Sequence, residues 1–575
     1  MNNEEALRKL EEAANSHLDP PTSGNGDNSD GEEEKTDEEI VGNQATQLVY
    51  LAFTKGGVTL FNTGEDGGEY AIVQVKGHRE VWPVGSQRFQ RYLEFLWFDQ
   101  EKTASKTMAV QEALKTLKAI AIYKSKTYPV HLRIAEHDDK IYVDLANDAW
   151  EVVEISADGW RVISESPVIF WRPSSMRPLP RPERGGSISQ FTNLLPTLSR
   201  GHQVLVVAFL FATYRARIAY PLLVLTGEQG AGKSSLSKIL RELVDPNKAD
   251  LRSPPRDEDA AIIAANRGWL LAFDNLSHLN ENLSDVFCRL STGGGLSKRQ
   301  LYTDMDEIIV EVQRPLILNG IEEFVRRGDL LDRSFLVELP SLGKNRRAES
   351  ALWAEFNEVR PAILGAIYDV VAYALAHLKD VHLTDLPRLT DVALWLTAAE
   401  PALGWKPGTF LDMYKNNAES ARELVIESSP VAAAVRSLME GRREWKGAAT
   451  ELLKDLTDIT DEPTRRRKSW PQSPSSLGNA LRRVQPNLRA IGILVTFERS
   501  ERCRTINISG IPSVPSVLSE PASDADSLLT GLQDSPSEVS SPSSPDMADE
   551  ADIFAQDSSS EDELERKADG VNRPG

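Results

Sequence analysis

The sequence predicts a multi-domain chain: an α/β core, an α+β domain before it, a helical region and a small basic module after it, and an acidic tail at each end. Three observations carry this. Near residue 230 a strand-like apolar run enters a glycine-rich loop and then a helix-like run. Along the chain the pattern changes from short β-rich runs to alternating helix and strand. The net charge of −21 is concentrated at the ends, with about −10 on the first 40 residues and about −12 on the last 65, so the middle is close to neutral.

The tails, residues 1–44 and 511–575, are rich in Ser, Pro, Gly, Asp and Glu and poor in aromatics. They cannot bury enough apolar surface to offset chain entropy and are predicted to be disordered. Residues 45–175 hold the β-rich runs 48–53, 70–75, 130–134, 141–143, 152–155 and 168–171, with helical spacing over 88–98 and 108–122, which predicts an α+β N-terminal domain. The prolines of 176–187 bar helix and sheet and predict a linker. Residues 188–342 read as the α/β core, 343–429 as helical, and 430–510 as a compact end module of helices and two terminal strands.

Two cysteines, Cys288 and Cys503, form no disulfide or metal spacing, which suits a reducing cytosol. The longest continuous apolar run, 204–212, is shorter than the ~18 residues of a membrane span, and no signal-peptide pattern opens the chain. The expectation is a cytoplasmic protein without a membrane partner.

The core's chemistry starts at GEQGAGKS: Gly227, Glu228, Gln229, Gly230, Ala231, Gly232, Lys233 and Ser234, followed by Ser235. Preceded by the strand run 222–226 and followed by the helix run 235–243, this is a P-loop. Its glycines let backbone N–H groups turn inward, the helix N-terminus adds positive potential, Lys233 reaches outer phosphates and Ser234 ligates Mg²⁺. The cofactors expected are ATP and Mg²⁺. The run 269–274 (WLLAFD) ends in Asp274, placed as the second magnesium-holding residue on the strand neighbouring 222–226. Asn275 follows it, and an amide cannot act as a base, so the water-activating group is unassigned. Asn319, ending the run PLILN, suits contact with a γ-phosphate. Arg333 can stabilise transition-state charge from a neighbouring subunit, or form an ion pair with Asp329 or Asp332.

The end module, 431–510, carries about six more positive than negative charges. Arg482, Arg483, Arg499 and Arg502 fall on a helix and on a basic turn between strands, the layout of a winged-helix DNA binder; winged helices also serve as protein contacts. Asp138, Asp139, Asp144 and Asp148 in the first domain read as turn and strand-edge carboxylates rather than a metal site, and Trp150, Trp160 and Trp171 as core.

The ordered set GEQGAGKS, LLAFDN, LSTGGGLSKRQLYTD, LILNG and DLLDRS resembles the AAA+ ATPases of the superfamily 3 helicase type, and looks most like the ATPase part of primase-helicase proteins of phages and other bacterial mobile elements. The resemblance covers 188–340 and implies an AAA+-like core working as a homo-oligomeric ring. In it a hairpin within 291–304 projects into a pore, making Lys298 and Arg299 DNA contacts, with Asn319 as the sensor and Arg333 as the finger. Asn275 departs from the acidic pair of that class. The function expected is a DNA-stimulated ATPase, a helicase or translocase acting on single- or double-stranded DNA in replication of a mobile element. Two alternatives stay open: a nucleotide-dependent DNA-binding switch or helicase loader, and a P-loop kinase for a small molecule. The acidic tails would shield basic surfaces or dock a replication protein.

Overall fold

The computed structural model describes residues 43–64, 67–299, 307–320, 324–325, 328–342, 347–467, 469–499 and 504–510. Residues 1–42 and 511–575 of the two acidic tails lie outside these residues, whereas Asn43 and Gln44, expected in the first tail, cap and open a helix.

Helix α1 (Gln44–Thr54), strands β1 (Thr59–Asn62), β2 (Glu69–Val75) and β3 (His78–Pro83), and helices α2 (Gln87–Glu101) and α3 (Thr107–Lys124) form the first module. Its strands pair in the order β1-β2-β3, and its core, with Leu48, Phe53, Val73, Phe89, Leu93 and Leu117, is its own. The β-rich reading of 48–53 is corrected here. Asn43 caps a helix, its side chain accepting from the Thr46 N–H at 2.9 Å, and Leu48, Val49, Leu51, Ala52 and Phe53 turn a wide apolar stripe into that core.

Strands β4 (Val130–His131), β5 (Ile134–His137), β6 (Lys140–Asp144), β7 (Val152–Ser156), β8 (Gly159–Ile163) and β9 (Ile169–Phe170) come next, with β5-β6-β7-β8 an antiparallel sheet and β4 parallel to β9. Ile134, Val143, Val153, Ile155 and Trp160 join one core with helices of the following region. The stretch expected as one N-terminal domain thus carries two separate cores, because the second sheet is too small to bury its own apolar face and uses the next layer. Asp138 and Asp139 form the left-handed turn between β5 and β6. Asp144 is fully buried and bound by Arg172 at 2.6 and 2.9 Å, while Arg172 stacks on Trp150 at 3.6 Å. Trp160 is core; Trp150 and Trp171 are half-buried.

The expected linker 176–187 is a pinned strap. Leu179 is buried, its N–H donates to the Leu145 carbonyl, and the Glu183 N–H donates to the Pro361 carbonyl at 2.9 Å. A Cβ on Gly365 would lie 1.7 Å from the Glu183 oxygen, so the strap rests directly on helix backbone there. Prolines bar regular structure without barring packing.

Helices α4 (Ile188–Asn193) and α5 (Arg200–Ala212) lead into β10 (Leu222–Thr226), α6 (Lys233–Val244), α7 (Glu258–Ala265), β11 (Leu271–Leu276), α8 (Glu281–Thr292), the hairpin β12 (Gly295–Arg299) and β13 (Glu307–Glu311), then β14 (Leu316–Gly320), α9 (Gly328–Leu331) and β15 (Ser334–Glu338). The main sheet is parallel in the order β11-β14-β10-β15. Alternation does the sorting: Leu223 and Leu225 face α5 and α6, while Leu222 and Val224 face the core built with α7 and α8. The strand bearing Asp274 was expected beside β10, yet β14 lies between them. Strand β15 was not foreseen.

Helices α10 (Glu349–His377), α11 (Thr390–Ala399) and α12 (Thr409–Ser428) form the helical region. By length and composition α10 could cross a membrane, but Ile363, Leu364, Ile367 and Val371 are buried in the main core. Helix α13 (Pro430–Met439), β16 (Glu444–Ala448), α14 (Ala449–Ile459), α15 (Glu462–Arg465), α16 (Pro474–Ala490), β17 (Ile493–Arg499) and β18 (Arg504–Gly510) complete the end module. Its antiparallel sheet β16-β18-β17 includes a strand the sequence reading missed, and its own core holds Trp445, Leu452, Trp470, Leu481, Val495 and Ile508.

Candidate functional site

Strand β10 delivers the chain into the glycine loop at the carboxyl end of the sheet, and α6 leads it away. Gly227, Gly230 and Gly232 have φ of +135°, +83° and +93°, conformations that side chains strain against. A Cβ on Gly227 would also meet the Leu339 carbonyl oxygen at 2.4 Å. Gly227→Ala is therefore expected to lower stability by about 1–3 kcal/mol, read as a shifted urea midpoint. Glu228 and Gln229 are exposed on the loop, whereas Ala231 is buried.

No side chain caps α6: its N-cap is Gly232, so the amides of Lys233, Ser234 and Ser235 open the helix unsatisfied by any capping group. Lys233 is only 9% exposed and donates to the Gly227 carbonyl at 2.7 Å and the Glu228 carbonyl at 2.8 Å. Burial lowers its pKa below the ordinary lysine value, and the charge of Asp274 opposes that.

Asp274 is brought to this helix from β11. The Ser234 hydroxyl donates to Asp274 Oδ2 at 2.8 Å. Its other oxygen, Oδ1, accepts from the Asn275 N–H at 2.9 Å and from Asn319 Nδ2 at 3.3 Å. Asn275 takes a left-handed φ of +62°, turning the chain so that its own amide folds back onto Asp274 while its side chain stays exposed. Fully buried Asn319, on β14, completes the cluster. Sequence reasoning missed Ser237, whose Oγ lies 3.0 Å from Asn319 Oδ1. The signal available was spacing, since Ser237 sits one turn after Lys233 on the same helix face.

This donor set can hold an anion and a hard cation side by side. The loop and helix amides with Lys233 suit phosphate oxygens, and Ser234 with Asp274 supplies the two oxygens a magnesium ion needs from a protein when phosphates and water provide the rest. Among the described residues no group of three His, Cys, Asp or Glu side chains could hold a metal by itself.

The remaining predicted residues lie elsewhere. Arg333 precedes β15 at the opposite end of the sheet, its carbonyl accepting from the Leu222 N–H. Its half-buried guanidinium donates to the Asp329 carbonyl at 2.7 Å, while Asp332 pairs with Arg388. Within one chain Arg333 and the glycine loop therefore lie at opposite ends of β10. Lys298 and Arg299 end β12, paired in register with Ile308 and Glu307; their side chains lie outside the described residues, as do residues 300–306. Gly293 ends α8 with a left-handed φ of +81° and Gly295 starts β12. Arg482 and Arg483 are exposed on α16; Arg482 stacks on Phe497 at 4.9 Å and Arg483 reaches Glu281 at 3.8 Å. Arg499 pairs in register with Arg504, its side chain outside the described residues, as is the whole of Arg502.

Fold and site together define a multi-domain mixed α/β protein with a polar cluster at the carboxyl ends of a parallel sheet. Residues 188–416 match the family model described as actinomycete integrative conjugative element replication protein, and residues 431–523 match the RepA C-terminal domain of the same elements. Both models describe parts of one kind of protein, and by these matches the chain is a replication protein of a mobile element. No curated protein matches it. Among solved structures it is similar to the A-form apo structure of the NrS-1 C-terminal region, with 11% identity, 80% of this chain and 98% of that one covered, and a TM-score of 0.37. A second apo structure of that region, residues 305–718, shows 12% identity, coverage of 82% and 100%, and a TM-score of 0.35.

Proposed function

We propose that the chain is a DNA-stimulated ATPase of the AAA+ type, working as a helicase or translocase in replication of its element. One observation supports this above the others: Ser234, from the helix that follows the glycine loop, is hydrogen-bonded to Asp274, from a strand two places away in the sheet. In this reading Ser234 and Asp274 would offer a magnesium ion two oxygens beside Lys233. When bound, magnesium would neutralise charge on the outer phosphates; Lys233 and the helix amides would orient them, and Asn319 would direct an N–H toward the reacting end.

DNA contact is assigned to Lys298 and Arg299 near the end of the hairpin and to the exposed α16 arginines of a winged-helix-like module. Arg333 acts in this reading only across a subunit boundary in a ring, leaving its turn with Asp329 to do so. A second reading, a nucleotide switch or helicase loader, draws on Asn275, whose exposed amide stands where a general base would assist water.

ATP turnover by the full chain should rise several-fold with single- or double-stranded DNA and disappear in a Lys233→Ala variant. Turnover indifferent to both would sink the motor. Strand displacement by the protein alone would exclude the pure loader, whereas DNA-dependent ATP binding without displacement would favour it.

A further inference from the structure

We propose that Ser237 is a positioning residue of this site, its buried hydroxyl setting which end of the Asn319 amide faces Asp274 and the space above the phosphate loop. This role rests on the ATPase reading and gives it a residue that the glycine-loop motif does not contain.

Asn319 is fully buried, and its two amide atoms are chemically opposite, one accepting and one donating. A carboxylate oxygen accepts, so the atom 3.3 Å from Asp274 Oδ1 has to be the amide nitrogen. The amide oxygen then faces Ser237 Oγ at 3.0 Å, and the hydroxyl is the group that donates to it. Ser237 is itself fully buried, which keeps solvent from substituting.

Ser237 Oγ is also 3.0 Å from the Lys233 carbonyl, the ordinary back-bond of a helical serine. One hydroxyl proton cannot serve both acceptors fully. The Lys233 carbonyl, as a helical carbonyl, also receives the backbone N–H four residues on, whereas the Asn319 oxygen depends on the hydroxyl. A proton resting on Lys233 would leave two buried oxygens facing each other at 3.0 Å, an arrangement that burial makes costly. The proton therefore belongs on Asn319. With it there, an amide N–H is committed to Asp274.

The placement also couples two elements. Lys233 and Ser234 begin α6, and Ser237 lies one turn along it, so any displacement of the phosphate end of the helix reaches β14 through this hydroxyl.

The test uses the full chain in four forms: Ser237→Ala, Ser237→Thr, Asn319→Ala, and Ser237→Ala combined with Asn319→Ala. Ser237→Ala should lower kcat by about 10–100-fold, as loss of a supporting hydrogen bond behind an active group does, while affinity for a non-hydrolysable ATP analogue stays near wild type and the melting temperature falls by a few degrees, since the buried Asn319 oxygen loses its donor. Ser237→Thr, which keeps the hydroxyl, should recover most of the rate, and the double variant should be no slower than Asn319→Ala alone. Wild-type kcat in Ser237→Ala, losses that multiply in the double variant, or a folded Ser237→Thr as slow as Ser237→Ala would each overturn the role. A wild-type chain without Lys233-dependent turnover would instead overturn the ATPase reading and take this role with it; the two failures are told apart by the wild-type measurement.

Discussion

Lys233→Ala is expected to reduce ATP hydrolysis by about 10²–10³-fold, the scale on which removal of one preorganised donor to developing charge is felt, while leaving the fold intact. The second half follows from what Lys233 touches. Its ammonium donates to two carbonyls of its own loop, those of Gly227 and Glu228, and to no side chain of another element. Loss of the amine frees those carbonyls toward the open side of the loop, where water can reach them, so the melting temperature should move by no more than a few degrees. The first half follows from burial. The ammonium is held in place by the two carbonyls at 2.7 and 2.8 Å, so its charge would meet a bound phosphate with little reorganisation. Lys233→Arg separates charge from shape: a guanidinium is too broad for the space between the two carbonyls and should recover little. A Lys233→Ala variant with wild-type turnover would show that the catalytic site is elsewhere.

What the sequence made legible follows the range of the forces involved. Strand 222–226 and the helix after the glycine loop were legible because the signals are local: an apolar run, glycines, and a stripe at helical spacing over α6. The helix over residues 44–54 was misread because its apolar run is short and its deciding signal, the Asn43 cap, stands outside the run. Sheet order was not legible, since whether β14 or β11 lies against β10 depends on which apolar faces meet after folding. Ser234 and Asp274 could be named singly, but their contact, like that of Ser237 with Asn319, spans 40 and 82 residues of sequence and exists only in the folded sheet. The strap at 176–187 shows the same limit: its prolines announce irregular backbone and say nothing about Arg177, which binds Glu242 and Asp250.

The far end of α6 supports the second large effect. Asp245, just beyond the helix, is fully buried; Oδ1 accepts from Arg133 Nε at 3.2 Å, and Oδ2 accepts from the Trp269 N–H at 2.9 Å and lies 4.0 Å from Arg241. Arg133 is equally buried and otherwise bonds the carbonyls of Asp144 and Arg177, so this carboxylate ties the β5–β8 sheet to the helix that starts at the phosphate loop. Asp245→Ala leaves two buried guanidinium groups without their shared counter-charge and should destabilise this core by about 3–5 kcal/mol. Asp245→Asn should be nearly as damaging. All its neighbours, Arg133, Arg241 and the N–H groups of Trp269 and Leu270, are donors, so the amide nitrogen of Asn must point at one of them, and the negative charge is gone as well. Replacing the pair together, Arg133→Met with Asp245→Leu, should recover part of the loss, because the carboxylate and one of the two guanidinium groups leave together while Arg241 still lacks its counter-charge. Urea unfolding followed by tryptophan fluorescence reads these differences, and a shift below about 1 kcal/mol for Asp245→Ala would mean that water already screens the site. If the tie also sets the pitch of α6, Asp245→Asn at a temperature where it remains folded should weaken ATP binding at Lys233, at the opposite end of the same helix.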